Sequence, residues 1–143
     1  MIINTIGFAG KSAEEFFTLL VSNNVKCLID IRLNNKSQLA GFANSKHIPY
    51  FLKLHNIDYI YKPEYAPNKE LLDDYKKRRI NWQQYEKRYY QILKHRDVLN
   101  NIDWSIFDNS VLLCSEPNAE MCHRRLFAEM LANKNEKILI RHL

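Results

Sequence analysis

A chain of 143 residues, 46% hydrophobic and 26% charged, has the size and composition of one folded domain, which excludes a disordered or low-complexity protein. Three Gly and four Pro argue against a turn-rich sandwich or barrel, and no apolar run approaches the ~18 residues of a membrane span. The formal charge of +5, from 21 Lys and Arg against 16 Asp and Glu, suits a phosphate-bearing or acidic partner without requiring one.

The opening residues MIINTIGFAG carry neither a basic n-region nor a long apolar stretch, so no signal peptide is expected. Three cysteines are an odd number, and Cys27 lies inside an apolar run; reduced thiols and a cytoplasmic protein are expected. Ile2, Ile3 and Ile6 form a first strand ending at Gly7. Ser12 is placed to cap a helix reaching about Val21, with Glu15 as its capping-box partner and Phe16, Leu19 and Leu20 as its apolar face. Residues 25–31, VKCLIDI, read as a buried parallel strand. A short helix over 46–55, interrupted early by Pro49, leads to a third strand at 58–61. Helices over 68–79 and 82–96 follow, then a fourth strand at 111–114, a helix over 118–133 and a short fifth strand at 138–140. This alternation predicts an α/β single domain spanning 1–143, with a mainly parallel sheet of about four to five strands flanked by helices. Ligands of such sheets bind beyond the carboxyl ends of the strands, which directs attention to Gly7, Arg32, Ser115 and Glu116.

Three segments carry chemistry. GFAGKS (7–12) follows a strand and opens a helix, but two residues separate its glycines where a Walker A loop needs four. It reads either as a turn into a capped helix or as an anion site at a helix N-terminus beside Lys11. Asp30 and Arg32 project to one face of their strand, where they either pair with each other or face a ligand. Residues 112–125, LLCSEPNAEMCHRR, gather Cys114, Glu116, Cys122, His123, Arg124 and Arg125. A Cys near a helix N-terminus and an Arg can have a lowered pKa and act as a nucleophile, with Glu116 as acid or base or as partner of Arg124. Arg124 and Arg125 can clamp a phosphate or carboxylate. Equally, Cys122, Leu126 and Met130 share a helix face, the pattern of buried hydrophobes, and Cys114 ends an apolar strand. The C-x7-C-H spacing is not a standard zinc pattern, and neither a metal nor a cofactor is expected.

Residues 76–96 carry eight Lys and Arg against one acid, Glu86, interleaved with aromatic residues. Trp82, Tyr85 and Tyr89 share one helical face with Ile92 or Leu93 and read as core, leaving the basic residues on a solvated face. Lys76, Lys77, Arg78 and Arg79 are its candidate nucleic-acid surface. His47, His55, His95 and His142 have no partner visible in the sequence.

Several motifs together resemble the DUF488 family of small bacterial and archaeal proteins. Thr5-Ile6-Gly7-Phe8-Ala9 is similar to that family's T-I-G-H-S, with Phe8 and Ala9 in place of His and Ser. Leu28-Ile29-Asp30-Ile31-Arg32 resembles L-[IV]-D-[IV]-R, and Phe42 falls where a Phe usually follows. Asn56-Ile57-Asp58-Tyr59 is similar to G-I-x-Y with Asn for Gly. Residues 63–77, PEYAPNKELLDDYKK, resemble one branch of the family, and Leu112 to Glu116 with Cys122-His123-Arg124 resemble L-L-C-x-E followed by C-H-R. The resemblance implies one α/β domain in which Thr5, Asp30, Arg32, Cys114, Glu116, Cys122, His123 and Arg124 form one site. Any catalytic role of the family's usual His is missing at Phe8.

The leading expectation is therefore an anion-binding pocket at the strand ends. Arg32 and Arg124 would bind a nucleotide or nucleic acid, Cys114 and Glu116 would supply any chemistry, and Thr5, Gly7, Asp30, Cys122 and His123 would complete the site. The alternative is a non-catalytic nucleic-acid-binding protein working through the basic segment, and no membrane partner is expected.

Overall fold

The structure, a computed structural model, describes residues 1–36, 40–116 and 118–143. Strands β1 (Ile2–Gly7), β2 (Cys27–Asp30), β3 (Asp58–Tyr61), β4 (Ser110–Cys114) and β5 (Leu139–His142) form one sheet in the order β3-β2-β4-β1-β5. Every pairing is parallel. Helices α1 (Ala13–Ser22), α2 (Ile48–Leu54), α3 (Lys69–Lys76), α4 (Trp82–His95) and α5 (His123–Lys134) flank it. The sheet is thus parallel throughout, not merely for the most part.

The two faces bury different helices. Ile6, Leu28, Val111 and Leu113 pack with Phe16, Phe17 and Leu20 of α1 and Ile48 and Leu52 of α2. Ile3, Ile29 and Leu112 pack with Leu71 of α3, Tyr85, Tyr89 and Leu93 of α4, and Leu126, Phe127 and Leu131 of α5. The central strands β1, β2 and β4 are buried on both faces, as their nearly continuous apolar runs require. Tyr85 and Tyr89 belong to the core, and the Tyr89 hydroxyl donates to the Tyr65 carbonyl at 2.7 Å.

Local chemistry sets the element ends. The Ser12 hydroxyl accepts from the Glu15 N–H at 3.1 Å, while the Glu15 carboxylate takes the Ser12 hydroxyl rather than its backbone N–H. A reciprocal capping box forms instead at α4, between Asn81 and Gln84. Pro49 does not interrupt α2; it sits in the first turn, where no N–H is needed. With only three Gly in the chain, Asn24, Asn56 and Asn109 take the left-handed turns before β2, β3 and β4, at φ 54°, 58° and 56°.

Several expected boundaries shift. Residues 118–122 are not helical, and α5 begins at His123, because Cys122 adopts extended backbone (φ −141°, ψ 142°) that turns its side chain toward β4. Cys122 therefore precedes the Leu126 face instead of continuing it. The second strand covers Cys27–Asp30 only, and the fifth starts one residue later and runs to His142. The helix expected over 68–79 ends at Lys76, and Arg78 turns the chain at φ 58°.

Candidate functional site

The connection from β1 to β2 runs through α1 on one face, and that from β4 to β5 through α5 on the other. β1 and β4 are neighbours, so the chain leaves their carboxyl ends toward opposite faces, the arrangement that opens a ligand crevice in parallel sheets. Gly7 and Cys114 are opposite each other at this switch point.

Gly7 has no side chain for a close-packing reason. A Cβ there would collide with the Glu116 carbonyl oxygen and lie 2.7 Å from Arg124 Nη1. The loops after β1 and β4 are joined by an Ala9 N–H bond to the Ser115 carbonyl at 3.0 Å. Arg124, on the first turn of α5 and 1% exposed, donates through Nη1 to Cys114 Sγ at 2.7 Å and to the Glu116 carbonyl at 2.5 Å. Cys114 Sγ also lies 2.6 Å from Cys122 Sγ, and both cysteines are free thiols.

These contacts divide the thiols. Burial pushes Cys114 up, but the hydrogen bond from Cys122 and the Arg124 charge outweigh it and hold Cys114 below the ordinary thiol range. Cys122 goes the other way, raised by burial and by its bond to Cys114. Cys27, at the far end of β2, is pushed up to about 11 by burial and by Asp58. Lys11 is lowered by partial burial and by the Arg124 charge, which places its ammonium within electrostatic reach of the same cluster.

His123 donates from Nε2 to the Ile31 carbonyl at 2.8 Å, since a carbonyl can only accept. Nδ1 is then the unprotonated nitrogen, 3.9 Å from Cys122 Sγ. Burial, with the Arg124 charge as a further contribution, lowers its pKa to about 4, so the ring is neutral at pH 7. Thr5 Oγ1 meets His142 Nδ1 at 2.7 Å across the β1–β5 pair.

Asp30 and Arg32 pair in two directions at once: Nε to Oδ1 and Nη2 to Oδ2, both at 2.8 Å, with the Arg32 N–H on Oδ1 at 3.2 Å. The Tyr59 hydroxyl donates to Asp30 Oδ2 at 2.7 Å, and burial and this bond both raise its pKa. The Arg32 guanidinium lies 5.5 Å from the centre of the Phe8 ring. Arg32 is 3% exposed, and its Nη1 has no hydrogen-bond partner among the described residues.

The site residues expected from sequence thus meet at one end of the sheet, but in two groups. Asp30 shares a face with Leu28 and the α1–α2 core; Cys114 shares a face with Leu112 and the α3–α5 core. Thr5, Gly7, Cys114, Cys122 and Arg124 form the second group, and His123 reaches toward the first through the Ile31 carbonyl. Glu116 contributes its carbonyl, while its residue is exposed. Arg125 turns away, bonding Glu129 at 3.0 Å and the Glu120 carbonyl at 2.8 Å. Lys76, Lys77, Arg78 and Arg79 are exposed, apart from the site, and Arg79 reaches Asp74 at 3.1 Å. Two surface depressions, of about 330 and 470 Å³, also lie elsewhere, along α4 and along α1.

Tyr59, Phe8 and His142 are partners that the sequence did not single out as site residues. Tyr59 follows from strand register, opposite Leu28 and two positions from Tyr61, the cross-strand partner of Asp30, and His142 from its pairing with Thr5; both need the sheet order. Among the described residues, no group of three or more His, Cys, Asp or Glu is placed to hold a metal ion. Among them, too, no helix is long and apolar enough to cross a membrane.

The fold and site define a doubly wound parallel α/β domain with a thiol–guanidinium cluster at its switch point. The chain belongs to the family described as domain of unknown function DUF488, whose model matches residues 12–131. No curated protein and no solved structure matches it.

Proposed function

We propose that the protein is a thiol-dependent catalyst in which Cys114 is the nucleophile and the substrate is an electrophile bearing a phosphate or carboxylate. One observation carries the reading: Arg124 Nη1 donates to Cys114 Sγ at 2.7 Å at the switch point of the sheet. A guanidinium in that position stabilises the thiolate, the reactive form, and attracts an anionic substrate toward it. Arg32 adds a buried N–H without a partner among the described residues, and Lys11 adds a nearby positive charge. Thr5, Gly7, Asp30, Cys122 and His123 position these groups, and Glu116 is the candidate acid or base at the exposed rim. A nucleotide or nucleic-acid phosphate suits a chain of net charge +5.

Alkylation of the intact protein by iodoacetate and by iodoacetamide at mildly acidic pH tests both halves of the proposal, with glutathione as reference for each reagent. Cys114 should react with iodoacetate about tenfold faster than glutathione, or more. Inorganic phosphate should slow this reaction, and Cys114→Ser should abolish it. Rates no faster than glutathione would remove the nucleophile; equal acceleration of the neutral reagent would remove the anion preference.

A second reading, non-catalytic nucleic-acid binding, is favoured by the exposure of Lys76, Lys77, Arg78 and Arg79. Tyr85 and Tyr89 are buried and cannot stack on bases, so phosphate contact carries most of it, with the half-buried Tyr75, Trp82 and Tyr90 as the remaining rings. Its mark is affinity that falls steeply with salt and is lost when those four residues are replaced together.

A further inference from the structure

We propose that Cys114 and Cys122 are a two-electron redox pair that reduces hydroperoxides, with Cys114 as the attacking thiol and Cys122 as the thiol that resolves it. The proposal rests on the nucleophile of the reading above and not on its anionic substrate, and it adds hydroperoxides as a substrate class and Cys122 as a partner. The two sulfurs are 2.6 Å apart, well inside the contact distance of unbonded sulfur atoms, although the residues are eight apart in the chain. Cys122 reaches Cys114 because its extended backbone, just before α5, aims the side chain back at the end of β4. The third thiol, Cys27, begins β2 at the opposite end of the sheet and has no place in the pair.

The neighbours suit the two roles. Arg124 Nη1 is bonded to Cys114 Sγ, so it favours charge on the attacking sulfur and remains beside the oxygen that sulfur acquires. Cys122 keeps its proton until it attacks, as its raised pKa requires, and the unprotonated Nδ1 of His123 lies 3.9 Å from its sulfur. Cys114 and Cys122 are 1% and 3% exposed, so the oxidant must be small; hydrogen peroxide is the simplest member of the class.

The reaction balances in two steps. The Cys114 thiolate attacks one peroxide oxygen, the O–O bond breaks, and hydroxide leaves and takes a proton from solvent to become water. Cys114 is then a sulfenic acid. Cys122 loses its proton and attacks the Cys114 sulfur; the S–O bond breaks, the oxygen leaves as water with that proton, and the S–S bond closes. Two thiols and one hydrogen peroxide become one disulfide and two waters. Two molecules of a small thiol, by two exchange steps, return the pair to the reduced state and leave as one small disulfide.

The test uses the full chain, reduced with dithiothreitol, desalted and treated with one equivalent of hydrogen peroxide. Intact mass should fall by about 2 Da, peptide mapping should join Cys114 to Cys122, and dithiothreitol should restore the original mass. Oxidation should be about tenfold faster than that of glutathione, or more. Cys122→Ser, with Cys122→Ala as a second variant, should stop at a gain of about 16 Da that dimedone traps on Cys114. Cys27→Ser should behave as wild type. Oxygen retained on wild-type Cys114, a disulfide that involves Cys27, or oxidation no faster than glutathione would overturn the pair. Because the cross-link is read in the wild-type chain, the result does not depend on a variant folding. Rapid iodoacetate alkylation without the 114–122 cross-link would overturn the redox pair and leave the nucleophile standing; loss of both would remove the nucleophile as well.

Discussion

Acidification should destabilise this protein through His123. Its side chain is buried with Nε2–H on the Ile31 carbonyl, beside Arg124 and against the Tyr89 ring, and protonation would put a second charge next to a buried guanidinium. The folded pKa is about 4, against 6.5 for the exposed ring of the unfolded chain. Between those values the unfolded state binds more protons, so stability is full above about pH 6.5 and declines as pH falls toward about 4. At 1.36 kcal/mol per tenfold, the gap amounts to about 3 kcal/mol, of which about 2–3 kcal/mol is expressed between roughly pH 7.5 and 4.5. Urea unfolding across that range, on wild type and on His123→Gln, isolates the contribution from that of the carboxylates common to both. Gln keeps an N–H for the Ile31 carbonyl and does not titrate. Wild type should lose about 2–3 kcal/mol more than the variant over the range. Parallel pH profiles, within about 0.5 kcal/mol, would refute the argument that this imidazole is held neutral by burial.

Two substitutions test the framework around the thiol. Gly7→Ala should cost about 2 kcal/mol or more in urea unfolding, because the obstruction is the backbone carbonyl of Glu116 and not a flexible side chain; a neutral result would mean that the loops after β1 and β4 are not locked together. Asp30→Asn should cost about 3–5 kcal/mol, because it leaves the buried Arg32 guanidinium without its counter-charge, and Tyr59→Phe about 1 kcal/mol. Equal costs for these two would show that the Asp30 charge contributes no more than one neutral hydrogen bond.

The parts legible in the sequence were those fixed by local periodicity and capping. The continuous apolar run in VKCLIDI can be buried on both faces only as a central parallel strand, and residues 27–30 are one. Ser12 announces α1 because its hydroxyl satisfies a backbone N–H that no helix supplies for itself. Tyr85 and Tyr89 of α4 betray their burial by spacing alone. Local reasoning failed where a distant partner decides the backbone. Residues 118–122 have a helical composition, yet the chain stays extended at Cys122, where the side chain gains a contact with a sulfur eight residues back.

The same distinction separates two substitutions in the family motifs. Asn56 replaces a Gly, and the structure shows the replacement to be local: the position needs left-handed backbone before β3, which Asn tolerates better than any other side-chain-bearing residue. Phe8 stands where the resembled motif carries a His, and here the consequence is carried by another strand. Its ring is 5.5 Å from the Arg32 guanidinium, so the position meets the cation with a π face and no titratable nitrogen. Arg32 is left to Asp30 on one side and to an apolar ring on the other, with Nη1 bonded to neither. The turn could be judged from the residue alone, whereas the role of Phe8 became visible only when parallel pairing on either side of β4 brought the carboxyl ends of β1 and β2 to the same end of the sheet.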